Sequence, residues 1–186
     1  LFVGFNTSGL IARGHFDNDF DSHQRLVSTN IIVAGIITVF LTLLLIVLRN
    51  PIGEVSKFPA SWVPLMAVIA FFNIINLMYL TILQVREEPK KFVFLQILLT
   101  GLNLGIAIIL VVGIGLDWQG RILATIIAGL IVTAVCFYGL IVRLGLLCMV
   151  IDRVSLKALL AFGIPLIPHF IGGLLMTMAP RLYLNN

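Results

Sequence analysis

The sequence is short of charge. Of its 186 residues, 12 are Lys or Arg and 8 are Asp or Glu, so charged residues make up only 11% of the chain. Roughly a quarter of an ordinary soluble domain is charged. Hydrophobic residues account for 60%, and the mean hydropathy is +1.14. A water-soluble globular domain is therefore excluded, because the polar residues are too few to cover its surface.

Several chemical motifs are also missing. Cys136 and Cys148 do not have a spacing typical of zinc, redox or disulfide sites. The sequence contains no Gly-rich phosphate loop, no nucleophile elbow and no paired histidines at ligand spacing, so we expect no enzyme and no cofactor. The net charge of +4 is spread over short connectors, which predicts no nucleic-acid partner. Nothing at the amino terminus has the order of a signal peptide, so the apolar segments themselves are expected to direct insertion.

Long uncharged runs occupy most of the chain. A hydrocarbon core about 30 Å thick requires about 20 helical residues, and the few charges bracket runs of that length. They predict five full spans at 26–48, 58–85, 92–116, 122–142 and 158–184. Residues 1–16 resemble the end of a truncated helix, so we expect a fragment. The predicted fold class is all-α: a polytopic transmembrane helical bundle in one membrane domain, 1–186.

The basic residues are unevenly distributed between the two sides of these spans. Connectors 11–25, 86–91 and 143–157 contain eight Lys or Arg, and the opposite side contains four. The positive-inside rule places the first set in the cytoplasm. Trp62 and Trp118 fall at span ends on the other side, as expected of indoles at a membrane interface. Both patterns predict the same orientation.

Two amides lie inside the second span. Asn73 and Asn76 are three residues apart, which places them on one helix face. They either line an aqueous path or form hydrogen bonds with a neighbouring helix, a common form of adhesion in membranes.

The third span has a polar stripe. Gln96, Thr100 and Asn103 follow one another at helical spacing, while Gly101 and Gly105 form a GxxxG pair. Such a pair permits close helix approach, so this helix is predicted to pack tightly with one polar face.

The last span contains the sequence FGIPLIPHFIGG. Its prolines cannot donate backbone hydrogen bonds, so the helix is expected to kink or break there. Such breaks occur near transporter substrate sites, and also as purely structural kinks. His169 follows the break and is a candidate for proton coupling or phosphate contact; its alternative role is to satisfy a freed carbonyl.

Arg13 and Arg181 are the cations expected nearest to membrane depth. An arginine there either extends its head group to the interface or meets an anion. No Asp or Glu falls within the five predicted spans, which argues against the intramembrane carboxylate of a cation-coupled drug exporter.

The segment LKALLAFGIPLIPHFIGGLLMTMAPRLYL resembles the start of the seventh membrane helix of polysaccharide biosynthesis flippases. These form the O-antigen and capsule branch of the multidrug/oligosaccharidyl-lipid/polysaccharide exporter superfamily. SGLIARGHFDNDFDSHQRLVST is similar to their second-helix end, and LTILQVREEPKKFVFLQILLTGLNLGIAIIL to their fourth-to-fifth helix passage. The chain departs from the family's Ser-Asp-Arg pattern at Ala179-Pro180-Arg181, which lacks the acid.

The resemblance implies a multi-pass protein of the bacterial cytoplasmic (inner) membrane that exports surface polysaccharide or O-antigen precursors. Its substrate would be a polyprenyl-pyrophosphate-linked oligosaccharide, moved by alternating access, with membrane lipid, a polysaccharide polymerase and glycosyltransferases as expected partners. Arg13 and Arg181 are the expected head-group contacts because arginine is a bidentate phosphate donor. His169, Asn73 and Asn76 are further candidates for the lumen.

Other functional classes remain open at this point. A multidrug exporter or a peptidoglycan lipid flippase of the same superfamily would share the helical architecture. A membrane enzyme of polysaccharide assembly would need catalytic carboxylates in a larger loop, and a membrane scaffold would show no transport when reconstituted.

Overall fold

A computed structural model gives the fold. It describes residues 9–12, 20–56, 59–146, 148, 151–165, 168 and 172, and the regular structure within these ranges is helical throughout. The all-α prediction is confirmed. The helices are α1 (Phe20–Val47), α2 (Arg49–Ser56), α3 (Leu65–Val85), α4 (Pro89–Ile108) and α5 (Asp117–Tyr138), with residues 153–165 forming α6.

Four helical segments in the described part of the chain are long and apolar enough to cross a membrane. They are Phe20–Val47, Ala60–Val85, Pro89–Gly113 and Asp117–Arg143, with mean hydropathies between 2.1 and 2.8. The protein is therefore a membrane protein built from transmembrane helices.

Each of these segments overlaps one of the first four predicted spans, but the helix ends differ. α1 begins six residues before residue 26, and α5 begins five before residue 122. The spans were predicted from runs of uncharged residues, and such a run stops at the first charge. The helix itself continues through its polar first turn. Of the predicted segment 158–184, α6 covers residues up to 165, and the expected break around residues 166–171 lies largely outside the described residues. Of segment 1–16, residues 9–12 are described and are helical.

The centre of the bundle is one face of α5. Every fourth residue along this helix and its last turn is completely buried, which forms a single ridge. The buried ridge residues are Ala124, Ala128, Val132, Cys136 and Leu140. Because its first two members are alanines, a neighbouring helix backbone can approach closely at this end.

Two glycines next to the ridge show how closely α3 packs on α5. A Cβ atom added to Gly129 would lie 2.9 Å from Cδ2 of Phe72, and one added to Gly139 would overlap the buried Tyr79 ring. Real Cβ atoms essentially never make contacts this short. Both positions therefore require glycine so that the two aromatic rings of α3 can lie against the α5 backbone.

The GxxxG pair of α4 does not form a similar contact. Added Cβ atoms on Gly101 and Gly105 would have no neighbour within 4 Å. Only 11% of the most apolar stretch of this helix is buried inside the protein. The predicted role of the GxxxG pair in a close helix contact is therefore wrong among the described residues, although α4 does pack on α5, where a Cβ on Gly120 would lie 3.0 Å from Val111. α4 instead turns Leu95 and Ala107 inward and leaves both glycines on its open side.

The two tryptophans lie at the same end of the bundle. The rings of Trp62 and Trp118 form an edge-to-face contact, with centroids 5.6 Å apart. This contact shows that both indoles lie at the same end of the helices, as the sequence predicted; their side of the membrane stays a prediction. We call this the tryptophan end, and we call the opposite end, with Arg86, Lys91 and Arg143, the basic end.

At the basic end, the start of α1 is bonded to the segment that follows α5. The Ser28 hydroxyl donates to the Leu146 carbonyl oxygen at 3.1 Å and accepts from the Cys148 backbone N–H at 2.8 Å. One turn earlier, the Gln24 amide donates to the Gly145 carbonyl oxygen at 2.6 Å. Ser28 is fully buried, so its bond to Leu146 satisfies a backbone carbonyl inside the protein, whereas the bond from Gln24 to Gly145 is exposed.

The same segment then begins α6 with a capped turn. The Asp152 carboxylate accepts from the backbone N–H and the hydroxyl of Ser155, at 2.9 and 2.8 Å. An aspartate at this position satisfies a helix N–H that has no partner within the helix. The bonds from Ser155 lower the pKa of Asp152. The Asp152 backbone N–H also donates to the Thr29 hydroxyl at 3.2 Å, which ties the cap to α1.

The contact at Ser28 predicts a crosslink. Its hydroxyl oxygen lies 3.5 Å from Sγ of Cys148, 120 residues away in sequence. We expect Ser28→Cys to form a disulfide with Cys148 on mild oxidation, since the two side chains are already adjacent. A mobility shift on a non-reducing gel that disappears on reduction would detect the bond. Oxidised Ser28→Cys in a Cys148→Ser background should show no shift, and a shift there would contradict the pairing.

α4 and α5 end in the same way. Each finishes in a wide turn, Ile109–Gly113 and Gly139–Arg143, closed by a bond spanning five residues at 3.1 Å. Each is followed by a glycine in the left-handed region, Gly115 at φ 76° and Gly145 at φ 58°. Glycine adopts this positive φ without the backbone strain that an L side chain would cause, as in other helix C-caps.

Substitution at Gly115 tests this capping. Gly115→Ala should lower the free energy of unfolding by about 1–2 kcal/mol because alanine disfavours a positive φ. The thermal unfolding midpoint in detergent measures the change. The matched control is Gly113→Ala, two residues earlier, where an added Cβ meets open space and the backbone is not left-handed. A midpoint that falls equally in both variants would mean that the φ value is not the cause.

Candidate functional site

The contact between α3 and α5 contains a buried amide, Asn76. Its side chain is buried between α3 and α5 and donates to the Phe72 carbonyl oxygen at 2.8 Å. Its amide oxygen accepts from the Cys136 thiol at 3.2 Å, and its nitrogen lies 3.5 Å from the Thr133 hydroxyl. The amide therefore joins two helices, and these bonds use both its oxygen and its nitrogen.

Asn73 has a different environment, although it lies on the same helix. It is exposed, while Asn76 is 4% exposed, so the three-residue spacing places only one of the two amides in the α3–α5 interface. A single helical step of three residues rotates the side chain by about 60°, enough to cross the edge of a helix contact. Of the two, Asn73 is the amide that remains accessible to a ligand.

Three other predicted site residues cannot be placed. Arg13, His169 and Arg181 lie outside the described residues. Their roles as head-group and lumen contacts remain predictions.

A polar groove lies between α4 and α5, in the half of the bundle toward the tryptophan end. It has a volume of about 290 Å³ and is lined by Leu99, Thr100, Asn103, Leu104 and Arg121. The groove is open, and Thr100, Leu104 and Arg121 are all exposed. It places one cation, on α5, beside two neutral polar side chains and two leucines on α4.

A hydrogen bond between the two helices holds the floor of the groove. The Asn103 amide donates to the Thr125 hydroxyl at 3.3 Å, and that hydroxyl donates to the Arg121 carbonyl oxygen at 3.0 Å. Asn103 is thereby fixed one turn below Arg121. An amide nitrogen carries two hydrogens, so one N–H of Asn103 remains to donate to a ligand.

Arg121 has no carboxylate partner among the described residues. The ion pairs in that part of the chain lie at the basic end, where Glu88 pairs with Arg86 at 3.9 Å and with Lys91. The hydrogen bond from Lys91 lowers the pKa of Glu88. Asp117 is the single carboxylate in the α5 sequence and precedes Arg121 by one turn, but the two do not pair. The charge of Arg121 is therefore available to an external anion.

The sequence prediction placed Arg121 in a connector, one residue before the span at 122–142. The α5 helix begins at Asp117 instead, so Arg121 projects from the second turn of a membrane helix. Trp118 contained the information needed for this correction, because an indole at the interface places the membrane boundary before residue 121. The polar stripe of Thr100 and Asn103 was recognised, but not the arginine that faces it.

A pair of substitutions distinguishes the two amides of α3. Asn76→Leu should lower the thermal midpoint by about 2–4 °C, because it removes interhelical bonding of roughly 1 kcal/mol. Asn73→Leu is the matched control and should leave the midpoint unchanged, since that side chain is exposed. Thermal unfolding of both variants in detergent measures the difference, and an equal loss in the two would contradict the assignment of Asn76 to the helix contact.

Comparison with known proteins gives no further guidance: no family model, no curated protein and no solved structure matches this chain.

Proposed function

We propose that the chain is part of a flippase that moves a lipid-linked oligosaccharide, carried on polyprenyl pyrophosphate, across the bacterial cytoplasmic membrane by alternating access. The observation that carries the proposal is the distribution of polar groups in the four spanning segments. Beyond the first turn they contain amides, hydroxyls and the arginines Arg25, Arg121 and Arg143, but no carboxylate. The resemblance of residues 156–184 to polysaccharide flippases supports the same conclusion.

These polar groups suit a substrate that is anionic at one end and rich in hydroxyls. A diphosphate requires permanently charged donors, and arginine offers a planar pair of N–H groups that matches two phosphate oxygens. Sugar hydroxyls require neutral donors and acceptors, such as the exposed amide of Asn73. The polyprenyl tail requires only an apolar surface and can remain in the lipid.

The lack of a carboxylate disfavours the drug-exporter alternative. A carboxylate within a membrane span is the usual means by which an exporter couples proton or sodium movement to a cationic drug. The described spans provide none beyond their first turns, and the positive charge of Arg121 in the groove would repel such a substrate. An anionic lipid head group is the better electrostatic match.

Because the chain is proposed to be part of a flippase, transport by the complete reconstituted protein tests the proposal. The protein is placed in vesicles with a fluorescent polyprenyl-diphosphate glycan, and a membrane-impermeant quencher reports how much of the label reaches the outer leaflet. Arg13→Gln with Arg181→Gln should reduce the transport rate about tenfold or more, because each lost phosphate contact removes a charged hydrogen bond.

The controls separate function from folding. Arg49→Gln and Arg153→Gln remove the same charge from the first residues of α2 and α6, so transport should persist in both. A fluorescent phospholipid without a glycan serves as the substrate control. It should cross the membrane no faster with the protein than in protein-free vesicles. The proposal would be abandoned if the parent protein moves no diphosphate glycan while thermal unfolding shows that it is folded.

A further inference from the structure

The groove between α4 and α5 arranges three kinds of side chain in order of depth. α4 runs from the basic end toward the tryptophan end, so Thr100 and Asn103 lie in its second half, and Arg121 lies about 6 Å along α5 from Asp117. From the membrane surface inward, a ligand would meet a cation, then two neutral donors, then Leu99.

A phospholipid presents the matching groups in the same order. Its phosphate lies at the membrane surface, its ester carbonyls lie just beneath, and its acyl chains continue into the hydrocarbon. The guanidinium of Arg121 suits the phosphate, while the free N–H of Asn103 and the hydroxyl of Thr100 can donate to ester carbonyls. Leu99, one residue deeper than Thr100, then lies beside the chains, while Leu104 lies nearer the membrane surface than Asn103.

We infer that this groove binds the phosphate and glycerol-ester region of an anionic membrane phospholipid. Charge complementarity supports this occupant, since Arg121 is exposed and has no carboxylate partner in the described part of the chain. Location supports it as well, because Val93, Phe94, Ile97 and Ile108 on the outer side of α4 are all more than half exposed, as expected of a helix that faces lipid.

Helix stability alone does not account for the arginine. A cation near the start of a helix gains nothing from the helix dipole, which favours anions there. The Arg121 side chain needs neither Thr100 nor Asn103 to reach the membrane interface. All three residues nevertheless line the same groove. The inference does not depend on the proposed transport, because a bound membrane lipid need not be moved.

Trp118 provides a local reporter of lipid occupancy. It lies three residues before Arg121 on α5, so the two side chains are neighbours on one helix surface. The chain has only two tryptophans, and Trp62 contacts Trp118. A Trp62→Phe background leaves an aromatic ring in that contact and assigns all tryptophan fluorescence to Trp118.

The experiment compares two brominated lipids as quenchers. The Trp62→Phe protein is reconstituted in phosphatidylcholine vesicles that contain increasing shares of brominated phosphatidylglycerol or of brominated phosphatidylcholine. We expect phosphatidylglycerol to associate about fivefold more strongly beside Trp118, the preference that one arginine gives an anionic lipid. In each variant, quenching of Trp118 by brominated phosphatidylcholine shows that α5 is inserted in the membrane.

Variants locate the preference in the groove. Arg121→Gln should abolish it, whereas Arg143→Gln, at the basic end of the same membrane span, should leave it intact. Thr100→Val with Asn103→Leu keeps the charge but removes the neutral donors, and should reduce the preference about twofold or more. Added inorganic phosphate should not relieve the quenching.

Four results would overturn the inference. The first is equal quenching by the two lipids, and the second is an unchanged preference in Arg121→Gln. The third is an unchanged preference in the Thr100→Val, Asn103→Leu variant, which would mean that the arginine alone attracts the lipid. The fourth is relief of quenching by inorganic phosphate, which would indicate a site for soluble anions.

Discussion

The close approach of α3 to α5 is the contact on which the rest of the bundle depends. In lipid there is no hydrophobic force between helices, so association relies on packing and on a few polar bonds. Small residues on α5 let Phe72 and Tyr79 lie against its backbone, and Asn76 adds hydrogen bonds in the same interface. α1 and α4 pack around this pair. α1 is hydrogen-bonded at the basic end to the segment after α5, and α4 is hydrogen-bonded to α5 through Asn103.

The polar groups of the described chain fall into two sets. Those that face another helix or a buried backbone group, such as Asn76 and Ser28, are engaged in bonds within the protein. Those on the open side of α4 and α5, above all Arg121, have donors left over. Because an unpaired polar group in hydrocarbon costs free energy, this second set is satisfied by water, by lipid head groups or by a ligand. This division is the physical basis for looking for ligands beside α4 rather than inside the α3–α5 contact.

The sequence predicted some levels of this structure well and others poorly. Helical spans and the common location of Trp62 and Trp118 followed from runs of uncharged residues and from the preference of indoles for the interface. The packing faces did not follow, because spans that are apolar on all sides contain little information about which side meets a neighbour. The sequence therefore predicted a close helix contact at the GxxxG pair of α4, whereas the structure has such a contact beside the buried ridge of α5. Arg121 was assigned to a connector because helices extend beyond the uncharged runs that identify them.

The glycine caps at Gly115 and Gly145 have a consequence for how the bundle sits in its membrane. They end α4 and α5 abruptly, after continuous helical segments of 25 and 27 residues that are about 40 Å long. This exceeds the roughly 30 Å of a typical hydrocarbon core. Helices fixed in length accommodate such a mismatch by tilting, or by favouring a thicker bilayer. Since α4 and α5 are joined by a short turn and by the bond at Asn103, they would tilt together as one rigid hairpin, and bilayer thickness becomes a variable that sets the angle of that hairpin.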